Sequence, residues 1–239
     1  MLKLVITCEH GGNKVPAAYA HLFEGQQELL SSHRGYDIGS KELFDELKGV
    51  AHAAFFADTT RLLVELNRSL HSESLFSGIT KNLAEPEKQQ MLQKYYHPYR
   101  EAVEEQIQSY IKTGRQVLHI SVHTFTPVLE GLVRQADIGL LYDPKRSSEK
   151  SFCRHFKKQL QQLHPSFQVR FNYPYLGISD GFPTYLRRKF TAQQYLGVEL
   201  EVNQKYPLEE ALQWKELINV VKEGMERVQT LFQLPETER

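Results

Sequence analysis

The plainest period along this chain is two. In Gln116-Val117-Leu118-His119-Ile120-Ser121-Val122-His123, apolar and polar side chains alternate, so His119, Ser121 and His123 share one face of a strand. Tyr195-Leu196-Gly197-Val198-Glu199-Leu200-Glu201-Val202-Asn203 repeats the pattern with Glu199 and Glu201 on one face. Leu2-Lys3-Leu4-Val5-Ile6-Thr7-Cys8 is instead an apolar run of buried-strand length that stops at Glu9, His10, Gly11 and Gly12. Shorter strands are predicted over 53–57, 62–66, 137–144 and 167–171. Helical spacing marks 41–47, 149–163 and 208–232, and a long helix over 87–113 that Pro86 opens, Gly114 closes and His97-Pro98 interrupts. Residues 71–85 read as a covering loop. Residues 172–188, rich in tyrosine, glycine and arginine, read as a loop that lines a site. The polar tail to Arg239 reads as frayed. Strands alternating with helices predict one α/β domain over residues 1–239, a mostly parallel sheet covered on both faces.

Composition narrows the partners. Of 239 residues, 41% are apolar, ample for a core, and the formal net charge is zero, so the chain carries no electrostatic footprint for nucleic acid or an anionic membrane. Two cysteines, Cys8 and Cys153, are too few for a disulfide framework or a cysteine-based zinc site, and Cys153 reads as a small buried apolar residue. No apolar run reaches the length of a membrane span, and Met1 leads straight into a strand. The expected setting is cytoplasmic and reducing, and the expected partner a small molecule.

The chemistry gathers where strands end. Those ends supply His10, Asn67-Arg68, His123 and Glu201. Two histidines and an acid are what a catalytic zinc requires, with the fourth position left to water. A carboxylate that is not a ligand would then move the water's proton. An arginine beside an asparagine anchors a substrate carboxylate, because guanidinium binds it in two-pronged fashion. Each residue also has a plain structural reading: Asp37 as a capping acid before the helix at 41–47, Arg68 as an arginine paired with Asp37 or Glu65, and His119 as a packed histidine deep in its strand.

Five motifs carry a resemblance over residues 5 to about 205. Cys8-Glu9-His10-Gly11-Gly12-Asn13 with Val15-Pro16, His33-Arg34-Gly35-Tyr36-Asp37, Glu65-Leu66-Asn67-Arg68-Ser69, Ser121-Val122-His123-Thr124-Phe125 and Leu200-Glu201-Val202-Asn203-Gln204 resemble, in order, the N-formylglutamate amidohydrolase family. That family is similar to zinc carboxypeptidases and aspartoacylases. The resemblance implies a phosphorylase/hydrolase-like α/β fold and metal-dependent cleavage of an N-acyl amino acid by Zn2+ or another divalent ion such as Co2+. It implies His10 and His123 as metal ligands, and Asn67 and Arg68 on the substrate carboxylate. It implies Glu201 as general base, with Glu199 as rival. Where carboxypeptidase-like relatives carry a glutamate ligand this chain has Asn13, and Asp37 is the expected third ligand, with Glu9 next. Arg187 or Arg188 is expected to hold the second carboxylate of a formylglutamate-like substrate. Two further readings stand beside this one. They are a carboxypeptidase-like or amidase activity on a peptide or cell-wall fragment, its pocket made by 71–85 and 172–188, and a non-catalytic binding protein on the same scaffold.

Overall fold

Residues 2–233 are described by the structure, a computed structural model, and the tail to Arg239 lies outside the described residues. The strands are β1 (Leu2–Cys8), β2 (Ala53–Phe56), β3 (Gln116–Phe125), β4 (Val128–Leu129), β5 (Leu132–Val133), β6 (Ile138–Leu141), β7 (Val169–Phe171) and β8 (Tyr195–Asn203). The helices are α1 (Gln27–Ser31), α2 (Ser40–Leu47), α3 (Glu85–Met91), α4 (His97–Lys112), α5 (Ser147–Leu163), α6 (Phe182–Lys189), α7 (Lys205–Glu209) and α8 (Ala211–Gln233). Six strands form one sheet in the order β2-β1-β3-β8-β6-β7, and β4 and β5 form a separate hairpin. Every pairing in the large sheet is parallel except β6 with β8. The mostly parallel α/β architecture expected from the alternating pattern is therefore the one observed.

The period-two pattern decides which face of the sheet carries chemistry. Leu4, Ile6, Leu118, Ile120, Val198 and Leu200 point to the side covered by α2, α5 and α8, and all are fully buried. Each such side chain stabilises the fold by roughly 1.5–3 kcal/mol. The opposite face, under α4 and α6, is apolar only near the amino ends of the strands, at Val5, Val117 and Tyr195. Beyond them it bears Thr7, His119, Ser121, His123 and Glu201, all buried. Buried polar groups destabilise unless partnered, and the deepest of these are: His119 bonds Thr7 Oγ1 through Nε2 and the Tyr195 hydroxyl through Nδ1, both at 2.7 Å. Burial holds this imidazole neutral, its pKa lowered to about 4. His119 is the packed histidine its depth in the strand predicts.

Two elements differ from expectation, and a third breaks where His97-Pro98 predicts. Residues 62–66 form turns, because their side chains find apolar partners in side clusters rather than in the sheet: Leu62 and Leu63 with Tyr19 and Phe23, Val64 and Leu66 with Ala57 and Leu75. The second half of the predicted loop at 172–188 is α6, with Pro183 in its first turn and Phe182 and Leu186 one turn apart facing the core. The long helix at 87–113 is two helices joined by one π turn, Leu92–Tyr96, placed just before Pro98, which lacks an N–H to continue the ladder. Cys153 is fully buried on the core face of α5, as expected.

A buried ion pair ties α5, α6 and β8 together. The Glu149 carboxylate accepts from Arg187 Nε at 3.0 Å and from the Gly197 and Asp143 amides at 3.0 and 2.9 Å. Arg187 also donates to the carbonyl oxygens of Gly177 and Gly197 at 2.6 and 2.7 Å and to Thr184 Oγ1 at 3.1 Å. Arg187→Met leaves a buried carboxylate uncompensated and is expected to lower the unfolding free energy by about 3–5 kcal/mol, read from urea denaturation.

Candidate active site

The first strand ends at Cys8, and Gly11 and Gly12 soon after it allow a close approach to the neighbouring segment that no larger residue could make. A Cβ on Gly12 would lie 2.3 Å from the Asp58 carbonyl oxygen, and one on Gly11 2.0 Å from the Phe56 ring. Regular strand geometry would send Glu9 and His10 to opposite faces. Released from the strand, both side chains instead reach His123, which stands near the end of β3 on the adjacent strand. This is the carboxyl edge of the sheet. It is also the place where the chain, having added β2 on one side of β1, crosses to add β3 on the other. Crevices at such switch points are where open α/β sheets bind ligands.

His10 Nδ1 lies 3.2 Å from His123 Nδ1, and Asp37 Oδ2 lies 3.4 Å from the first and 2.9 Å from the second. All three residues are buried. Tetrahedral ligands at zinc-like bond lengths sit roughly 3.3 Å apart, so this triangle has the size of one face of a coordination shell. Asp37 does not cap α2, whose N-cap is Gly39. Its amide bonds the His10 carbonyl and its carbonyl accepts from Ser40 Oγ, so the backbone is pinned while the carboxylate turns inward.

Carboxylates stand behind both imidazoles. His10 Nε2 meets Glu65 Oε1, and His123 Nε2 meets Glu9 Oε2 at 3.3 Å and Ser121 Oγ at 2.9 Å. The Ser121 hydroxyl donates to Glu9 at 2.7 Å, so its lone pair is left to accept from His123 Nε2–H. Metal-binding histidines are commonly held this way. Both Nδ1 atoms face Asp37. Against the effect of burial, Asp37 and Glu9 raise the His123 imidazole well above its usual range, so without a metal it carries the positive charge of the cluster. Arg61 closes the ring, donating from Nε to Glu65 Oε2 at 2.8 Å and from Nη1 to Asp37 Oδ1 at 3.0 Å. Burial alone would raise these carboxyls, and their partners outweigh it. His123 and Ser121 bring Glu9 down to about 2. His10, His123 and Arg61 hold Asp37 well below the usual range, and Arg61 and His10 hold Glu65 there too.

In front of the triangle lies a cavity of about 230 Å3. Glu201, opposite His123 in the β3–β8 register, lines it and is buried, yet its Oε2 has no hydrogen-bond partner among the described residues. Burial, with negative Asp37 and Glu199 nearby and only partly offset by His123 and Arg61, raises this carboxyl to about 8. Glu199 also lines the cavity, but its Oε1 accepts from Asn67 Nδ2 at 3.0 Å. Asn67 Oδ1 in turn accepts the first amide of α6, that of Phe182, at 2.6 Å. Arg68 donates from Nη1 to the carbonyl oxygens of Asn67 and Asp180 and lines the cavity. Neither Asp37 nor Glu65 pairs with it.

Two expectations are corrected. Arg187 does not line the cavity, because Glu149 holds its guanidinium inside the fold. Residues 71–85 do not line it either, whereas Tyr175, Leu176, Ser179 and Asp180 of the other loop do. Arg61 and the role of Glu65 escape a reading along the chain. Their signal was two opposite charges four residues apart flanking Leu62-Leu63-Val64, a spacing that suits an ion pair but does not name its target.

Comparison with known proteins bears on the fold and the family. Among curated proteins none matches the chain. A gene product of Agrobacterium tumefaciens shares the fold with a TM-score of 0.77 at 25% identity, over 95% of this chain and 92% of that one. An N-formylglutamate amidohydrolase from Ralstonia eutropha JMP134 shares it with a TM-score of 0.68 at 17% identity, over 95% and 94%. The sequence profile of the N-formylglutamate amidohydrolase family matches residues 2–207, and the chain belongs to that family.

Proposed function

We propose that this hydrolase removes the acyl group from an N-formyl or other N-acyl amino acid, using a divalent cation held by His10, Asp37 and His123. The observation that carries the reading is the pair of inward Nδ1 atoms beside Asp37, each histidine backed by a carboxylate, with the orphaned Oε2 of Glu201 across the same cavity. The donor set fits the ion: two imidazoles and a carboxylate suit Zn2+, and a buried surplus of carboxylates favours a double positive charge. A cation bound there would polarise the scissile carbonyl and acidify a water.

The chain's own groups do the rest. Arg68 takes the substrate's α-carboxylate on its free edge. The ring through Arg61 and Glu65 keeps Asp37 and His10 from rotating away when substrate enters. Glu201, kept short of partners, accepts the proton of the attacking water and delivers it to the leaving nitrogen, and its raised pKa brings it near the working pH. No particular observation favours a peptide or cell-wall substrate, since the cavity is about 230 Å3.

The direct test measures bound metal and hydrolysis of N-formylglutamate and related N-acyl amino acids. His123→Ala is expected to lose stoichiometric metal and activity together, and full activity without bound metal would reject the reading. Arg61→Met, which leaves all three ligands in place, should weaken metal affinity about 10–100-fold by competition against a chelator. Glu201→Gln should retain metal while kcat falls about 10^2–10^4-fold.

The same variant gives a check that does not involve turnover. A carboxyl whose pKa rises from its ordinary 4.5 to about 8 on folding contributes stability below the lower value and loses it as pH rises through the higher one. Metal-free wild type and Glu201→Gln should therefore melt alike near pH 4.5, and the variant should be the more stable at pH 8.

A further inference from the structure

The side chain on the substrate's Cα must also find a place in this cavity. Glutamate would bring a second carboxylate into a partly closed cavity, and an ion taken out of water there is costly unless a cation meets it. Among the described residues, the cations lining the cavity are Arg61 and Arg68. Arg61 is committed to Asp37 and Glu65 through all three guanidinium nitrogens. Arg68 has one free edge, enough for one carboxylate. Arg187 is held by Glu149. Arg134 does not line the cavity: its Nη1 is held by Thr126 and the Tyr175 hydroxyl, and its guanidinium lies over the Phe125 and Tyr175 rings.

The remaining wall is of another kind. Leu141, Tyr175 and Leu176 line it, and the last two are 46% and 56% exposed, large apolar side chains left open to water beside the site. Asp180 at the same mouth adds negative charge, its carboxylate already tied to Ser69.

We infer that the substrate carries a single carboxylate: an N-acyl amino acid with an uncharged, apolar side chain that lies against Leu141, Tyr175 and Leu176 while its α-carboxylate takes Arg68. This rests on the amidohydrolase reading and narrows its substrate. An apolar side chain covers exposed carbon and asks for no second cation, whereas a glutamate side chain would meet carbon and like charge.

The test compares kcat/KM of the metal-loaded full chain for N-formyl-leucine, N-formylglutamine and N-formylglutamate. Glutamine and glutamate match in size, so their ratio isolates the charge. Leucine is expected to be best, with glutamine at least about tenfold above glutamate. Leu176→Arg, at an exposed position, should raise the glutamate value about tenfold while lowering that of leucine. Glutamate equal to or above glutamine in the wild type would overturn the inference, and loss of that preference in Arg134→Ala would assign the second carboxylate to Arg134. Failure to hydrolyse any of the three would instead overturn the amidohydrolase reading on which it rests.

Discussion

Two imidazole nitrogens 3.2 Å apart in a buried site cannot both present lone pairs to each other, so either a hydrogen on one ring or a cation shared by both must lie between them. The groups around the pair favour sharing. Glu65 and Glu9 fix hydrogen on the outer nitrogens and so turn the inner nitrogens toward one point, while Asp37 completes the triangle from a backbone pinned to His10 and Ser40. Four buried carboxyl groups, Glu9, Asp37, Glu65 and Glu201, gather around His10, His123 and Arg61. Such an excess of negative charge is tolerable where a divalent ion is held.

The molecule contains two kinds of buried carboxylate, and the difference between them separates structure from chemistry. Glu149 is fully buried and fully satisfied, by Arg187 and two backbone amides, and it locks α5 and α6 onto β8. Glu201 is equally sheltered and keeps one oxygen unpartnered in the cavity. The first arrangement stabilises the fold. The second destabilises it and makes sense as a base kept available for a proton, the sort of compromise that active sites make.

Position in the sheet explains how one face came to hold both a core and a reaction site. On the α4/α6 side the strands are apolar at their amino ends and polar toward their carboxyl ends, with His119 and its two partners between the two zones. Helix α6 is drawn to the cavity by Asn67, which accepts its first amide and donates to Glu199, so a residue expected only to touch substrate also shapes the wall.

The sequence by itself determined the strand pattern, the mostly parallel α/β class, and the strand ends that bear His10, His123 and Glu201, which with Asp37, Asn67 and Arg68 line a single crevice. The strand ends were legible because alternation along a strand and abrupt stops at glycine or acid are local properties, written in neighbouring residues. Asp37 as a ligand and the roles of Asn67, Arg68 and Glu201 came instead from the family resemblance of the five motifs. Only the tertiary structure decided which carboxylate each histidine leans on, that Arg61 bridges Asp37 and Glu65, and that Arg187 belongs to Glu149 rather than to substrate. Those pairings join residues from 24 to 114 positions apart in most cases, and electrostatic partners at such separations are chosen by the packing of whole elements, which no local period encodes.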